Sequence, residues 1–247
     1  MTAFADRLGI LDYGTFEVAD DGRRIPIVGY VVLARDRVVL VDTGFPRVYL
    51  DDPEGAGRRD GLDTFGRVVS LAPENLPSAQ LDLAGLRPED VTDLVITHGD
   101  IDHIGGLCDF PQATIVVSRV ERDDGPPRYF GDVRPERWPA DFRYRLVEGD
   151  EDLVQGVTLL ATPGHSPGHM SLLVRLRETG PVLLAGDAIS RESELATGVN
   201  GGASDQRAAR ASVERLRLIA REEKALLVYG HDPVQWRTLR RVPDVYE

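Results

Sequence analysis

A single cysteine, Cys108, excludes an internal disulfide, so the fold must stand on burial rather than on cross-links. That usage also points to the cytoplasm, and Cys108 itself reads as a small buried hydrophobe. No apolar run approaches the roughly 20 residues that a membrane-spanning helix needs. The stretch from Met1 to Leu11 carries Asp6 and Arg7 and lacks the apolar segment of a secretory signal. Positive charge is scarce as well: Lys224 is the only lysine, and 29 basic against 41 acidic residues leave a formal charge of −12. Nucleic acid and anionic membranes demand a basic surface, so neither is the expected partner. The acidity reads as a solvated, solubilising surface.

What is present suits an ordinary globular chain. Hydrophobic residues make up 42% and charged residues 28% of 247 positions, enough for a sizeable core in one domain expected to span 1–247. Short β-branched runs bounded by turn residues predict strands at Tyr30 to Leu33, Val38 to Val41, Leu94 to Thr97, Thr114 to Val117, Val157 to Leu160, Leu172 to Val174, Val182 to Leu184 and Leu226 to Tyr229. The first two read as a hairpin around Arg35-Asp36. Helical spacing of Ala209, Val213, Leu216, Ile219 and Ala220 predicts a helix from Asp205 to about Glu223, capped by Ser204. Further helices are expected over Leu62 to Leu71 and Leu81 to Leu86. Asp51 to Asp60, rich in Gly, Pro and Asp, reads as irregular. So does Arg119 to Phe142, a proline- and aromatic-containing connection that fits either a lid over a pocket or a packed surface loop.

Histidine is rare, and its placement is informative. The five histidines, His98, His103, His165, His169 and His231, all sit beside Gly, Asp or Thr near predicted strand ends. His98 and His103 lie in Thr97-His98-Gly99-Asp100-Ile101-Asp102-His103, directly after an apolar strand. His165 and His169 lie in Gly164-His165-Ser166-Pro167-Gly168-His169, and His231 in Gly230-His231-Asp232. Alternate residues 98, 100 and 102 leaving a strand can point into one cavity, with His103 joining them from a short helix. Imidazoles and carboxylates gathered in this way form the donor set of a catalytic metal site. Ser166 lacks a GxSxG setting, so a serine nucleophile is not expected.

These segments resemble the metallo-β-lactamase superfamily, whose pattern is an early Asp motif, HxHxDH, a later His, a bridging Asp and a final His. Val41-Asp42-Thr43-Gly44 supplies the early motif and Ala185-Gly186-Asp187-Ala188 the bridging one. Within the superfamily the chain is most similar to the N-acyl-homoserine lactone lactonases, on Leu160 to His169, Gly186-Asp187-Ala188, the helix from Asp205, and Gly230-His231-Asp232 with Gln235. The resemblance implies an α/β fold, a four-layer αββα sandwich with metals at one edge between the sheets. It implies a metal-dependent hydrolase that opens a lactone or related ester with water activated by two divalent ions. Zinc is the expected metal, with Mn²⁺, Fe²⁺ or a single-metal site as alternatives. One metal would take His98, Asp100 and His165, the other Asp102, His103 and His231, with Asp187 between them. Asp102 and Asp187 would move protons, while Asp42 and His169 would support the ligands. A homodimer is also implied.

The sequence departs from the family at two points. Asp100 stands where the family has its second histidine, giving HxDxDH and a harder, more negative donor set that favours Mn²⁺ or Fe²⁺ more than a histidine-rich site does. The lactonase tyrosine after the bridging Asp is missing from Asp187-Ala188-Ile189-Ser190, and Tyr129 is the candidate to replace it. Two rival functions follow. One is another hydrolase on the same metals, such as a glyoxalase II-type thioesterase. The other is a binding or regulatory protein whose altered site has lost turnover.

Overall fold

The computed structural model describes residues 3–123, 138, 141–198 and 201–247. Among the described residues, twelve strands form two mixed sheets. The larger is built from β1 (Arg7–Val18), β2 (Arg24–Ala34), β3 (Arg37–Val41), β4 (Gly66–Ser70), β5 (Asp93–Val95), β6 (Thr114–Ser118) and β7 (Arg143–Val147), in the order β4-β1-β2-β3-β5-β6-β7. The smaller holds β8 (Glu151–Val154), β9 (Val157–Ala161), β10 (Met170–Leu176), β11 (Gly180–Leu184) and β12 (Leu226–Val228), in the order β12-β11-β10-β9-β8. Most of the pairs are antiparallel, five of them hairpins between consecutive strands and the sixth joining β1 to β4. β3, β5, β6 and β7 run parallel, as do β11 and β12, because helical connections cross over between them.

The pleat sorts the apolar residues into layers, since successive side chains leave opposite faces of a strand. Val39 and Val41 of β3, Val95 of β5 and Leu172 and Val174 of β10 meet between the sheets. Leu40, Leu94 and Ile96 point the other way, beneath α1 (Pro53–Asp60) and α2 (Pro77–Leu83). Leu173 and Leu183 face outward under α6 (Gln206–Glu223), whose Ala209, Val213 and Leu216 are buried as their helical spacing requires. Two sheets back to back with helices on both outer faces make the αββα sandwich.

Several local expectations need correction. Leu62 to Leu71 is not helical. After a single 3₁₀ turn, Gly66–Ser70 becomes β4, because Val68 and Val69 suit a pleated strand and Gly66 lets it close on β1. A Cβ at Gly66 would stand 2.1 Å from the Glu17 carbonyl. Conversely, the irregular-looking Asp51 to Asp60 contains α1. Its Asp52 is the N-cap and accepts from the Gly55 N–H at 2.9 Å, Pro53 opens the first turn, and Gly61 (φ 72°) closes the helix. Those residues were helix punctuation. The helix expected at Leu81 to Leu86 lies earlier, as α2. The cap of α6 is Asp205, whose carboxylate accepts from the N–H groups of Arg207 and Ala208, while Ser204 Oγ donates to Gly164 O. Cys108 is exposed, because its 3₁₀ turn buries Leu107 and Phe110 instead. Arg119 to Phe142 opens with a short helix, α4 (Arg119–Asp123); Tyr129 and Phe130 lie outside the described residues.

Two segments far apart in the sequence meet beside β1. Leu8 in β1 exchanges both backbone hydrogen bonds with Tyr246, each 2.9 Å, while Ala5 bridges to Leu176 of the smaller sheet.

Candidate metal centre

The expected donors arrive on the ends of strands at one edge of the sandwich. β5 runs out at Val95, and the chain turns through His98 and Asp100 into α3 (Ile101–Ile104). β9 and β10 are joined by the loop of His165 and His169. A 3₁₀ turn after β11, Gly186–Ile189, presents Asp187, and the end of β12 leads to His231. All seven expected ligand residues come together here, six of them buried and Asp102 partly exposed.

Two groups of donors each converge within 4.8 Å: His98, His165 and Asp187, and Asp102, His103 and His231. Asp187 reaches both. Its Oδ2 is 3.5 Å from His165 Nε2, while its Oδ1 is 3.0 Å from His231 Nε2 and 3.6 Å from His103 Nε2. Asp100 Oδ2 joins the first group, 3.1 Å from His165 Nε2 and 3.5 Å from His98 Nε2. Asp102 Oδ2 lies 3.5 Å from His103 Nε2 and 3.8 Å from His231 Nε2. Ligands at roughly 2.0–2.2 Å on a tetrahedral ion stand roughly 3.3–3.6 Å apart, the range spanned by most of these separations.

Three imidazoles are turned to offer Nε2. His103 Nδ1 donates to Asp42 Oδ2 at 2.8 Å, and His231 Nδ1 donates to the Pro26 carbonyl at 2.8 Å. His98 Nδ1 lies 3.1 Å from Thr97 Oγ1, whose own hydroxyl donates to Asp42. Pinning one ring nitrogen fixes the tautomer and leaves a lone pair on the other, the outer-shell arrangement of metal-binding histidines. The Nε2 atoms of His98 and His103 are buried with no hydrogen-bond partner among the described residues. Asp42, at φ 60°, also accepts from the Thr97 N–H and so ties the end of β3 to the ligand loop. His169 is excluded from ligation. Its Nδ1 bonds Thr162 Oγ1 at 2.8 Å, and its Nε2 accepts from the Asp187 N–H at 3.1 Å.

The electrostatics call for cations. Burial alone would raise the carboxyl of Asp187, yet the imidazoles of His231, His103 and His165 hold it well below the carboxylate range. Burial works against Asp100 in the same way and is outweighed by His98 and His165. Burial would also lower His103 and His231. The carboxylates of Asp102, Asp42 and Asp187 instead carry His103 well above an ordinary imidazole, and Asp187 with Asp102 brings His231 up to about 9. Divalent ions supply that positive charge while leaving the Nε2 lone pairs as ligands, so the residues present fit a metal centre.

The profile of the Metallo-beta-lactamase superfamily matches residues 23–231, taking in all of these donors. The chain belongs to the metallo-beta-lactamase superfamily. It is a metal-dependent hydrolase of that superfamily. It is 31% identical over 221 residues to an N-acyl homoserine lactonase of Bacillus sp, covering 89% of this chain and 86% of the relative. It is 33% identical over 181 residues to the N-acyl homoserine lactonase AttM of Rhizobium radiobacter, covering 68% of each. Among solved structures, an N-acyl homoserine lactone hydrolase with the product N-hexanoyl-L-homoserine bound at its catalytic metal center matches with a TM-score of 0.84 at 27% identity, over 100% of both chains.

In this member of the superfamily the donors open onto a cavity of about 570 Å³. Asp100, Asp102, His165, Asp187 and His231 line its floor, and Phe16, Val18, Ile25, Phe45, Leu62 and Phe65 form an apolar wall. Ser190 and Arg191 line the cavity just after Asp187, and no tyrosine is among the described lining residues. Tyr129, the expected substitute, lies outside the described residues. Sequence reasoning did not find the Pro26 carbonyl that orients His231, because a backbone acceptor 205 residues away leaves no mark in composition or spacing.

Proposed function

We propose that this chain hydrolyses the lactone ring of N-acyl homoserine lactones at a centre of two divalent ions, zinc first among them. One ion would be held by His98, Asp100 and His165, the other by Asp102, His103 and His231, with Asp187 shared. The observation that carries the reading is the placement of Asp187, whose two oxygens each face a separate donor group at the floor of a cavity with an apolar wall. The relatives that carry the lactonase name support the substrate class. The reading includes a cytoplasmic enzyme of one domain over 1–247.

Bound divalent ions polarise a carbonyl and supply hydroxide from water at neutral pH. The chain's own residues do the rest. The apolar wall of Phe16, Val18, Ile25, Phe45, Leu62 and Phe65 takes the acyl chain and excludes water around the ring. Water adds to the ring carbonyl, the ring C–O bond breaks, and a proton must reach the departing alkoxide oxygen. Asp102 is the best placed carrier, its side chain 18% exposed against 10% for Asp187. It takes a proton on one oxygen and releases it to the alkoxide, giving the open hydroxy acid.

A substrate panel tests this. Protein refilled with Zn²⁺, Mn²⁺ or Fe²⁺ is offered N-acyl homoserine lactones of several chain lengths, a thioester and a phosphodiester. Ring-opened acyl homoserine is the expected product. Turnover of the thioester alone would make the chain a glyoxalase II-type enzyme. No turnover of any of these with any metal would remove the lactone as its substrate.

A further inference from the structure

One carboxylate fastens together the two loops that carry His98, Asp100 and His165. Glu121 sits in α4, directly after β6. Its Oε1 accepts from the Gly99 N–H at 2.8 Å, between His98 and Asp100. Its Oε2 accepts from Ser166 Oγ at 2.6 Å and from the Gly168 N–H at 3.0 Å, beside His165. Three donors from two loops are thus satisfied by a single side chain, and the bonds to an ionised acceptor are of the stronger kind. The seat is made for close approach. A Cβ on Gly168 would stand 2.3 Å from the Glu121 backbone nitrogen, so only glycine lets α4 settle there.

The second donor group is fastened differently. His103 is held by Asp42 and His231 by the Pro26 carbonyl, and neither is bonded to Glu121. Asp42 also reaches His98 through Thr97, whereas the bonds of Glu121 go only to the loops of His98, Asp100 and His165.

We propose that Glu121 is a positioning residue for the metal site of His98, Asp100 and His165, and that it sets the affinity of that site separately from the site of Asp102, His103 and His231. The inference rests on the two-metal reading above. Changing Glu121 to glutamine keeps the size of the side chain but turns one acceptor into an NH₂ group, which repels at least one of the donor loops.

The experiment titrates metal-stripped wild type and E121Q with Co²⁺ alone, following visible absorption against a competing chelator. Wild type takes two equivalents. E121Q is expected to bind one equivalent as wild type does and the other roughly 10–100-fold more weakly, the usual effect of losing an outer-shell partner. S166A, which removes one of the three donors, should weaken the same equivalent by less, and it stands in if E121Q does not fold. Both equivalents unchanged, or both weakened equally, would overturn the proposal. Wild type taking a single equivalent would sink the two-metal reading instead, and Glu121 would then be judged by whether that one equivalent weakens in E121Q.

Discussion

Asp100 caps the first turn of α3, yet its carboxylate makes no capping bond and turns to His98 and His165. An aspartate in that position ordinarily accepts from the helix N–H groups, so its orientation is set by the donor cluster. A third carboxylate beside Asp102 and Asp187 hardens the donor set and reduces the positive charge left on the ions. Asp100→His should therefore shift the bound metal toward Zn²⁺ and away from Mn²⁺ in protein purified from medium containing both. Metal analysis of the pair checks this, and identical metal content would remove Asp100 from the ligand set. At this scale the candidate site was largely legible. Imidazole and carboxylate at fixed spacing after a strand are chemically specific, which is why seven donors could be named. Glu121 was not legible, because Arg-Val-Glu-Arg looks like any exposed helix turn until the two loops are seen to descend on it.

Helices and strands were legible where one physical signal dominated. The buried stripe of α6 is visible in its 3.6-residue period, and its N-cap carboxylate makes a clean test. Asp205→Ala should cost about 1 kcal/mol of stability in urea unfolding, in line with lost N-caps elsewhere, with metal content unchanged. Loss of a metal equivalent in that variant would tie the helix start to the neighbouring His165 loop more closely than its hydrogen bonds indicate. β1 was hidden by its own irregularity. Gly14, at φ 100°, and a register break between Asp12 and Thr15 interrupt the alternation that marks a strand. A Cβ at Gly14 would stand 2.2 Å from the Ser70 carbonyl, so the break is where β4 draws close. α1 was hidden for the opposite reason, since its capping residues are the ones that also make loops.

Across the whole molecule, donors from distant parts of the sequence are gathered at one edge of the two sheets, so metal binding and folding are linked. Chelation should lower the melting temperature and Zn²⁺ should restore it. Ligand at a thousandfold over its dissociation constant adds about 4 kcal/mol, and each kcal/mol moves Tm by roughly 2–4 °C in a domain of this size. A shift of about 8–16 °C is thus expected by scanning calorimetry. An unchanged Tm after complete metal removal would mean that these side chains hold no ion in the folded state. The described residues contain no helix long and apolar enough to cross a membrane. The sandwich itself could be anticipated from the resemblance, whereas the sheet order depends on pairings between remote segments that no local pattern records.

The meeting of Leu8 with Tyr246 bears on the order in which the protein is made. A chain leaves the ribosome from its N-terminus, so the backbone groups of Leu8 that face Tyr246 are synthesised early and matched only when residue 246 has emerged. Until then β1 offers an unpaired stretch of edge, the kind of surface that invites pairing with other chains. Completion of the larger sheet therefore waits on a segment far along the chain, with β1 left partly uncovered until the residues around Tyr246 are made.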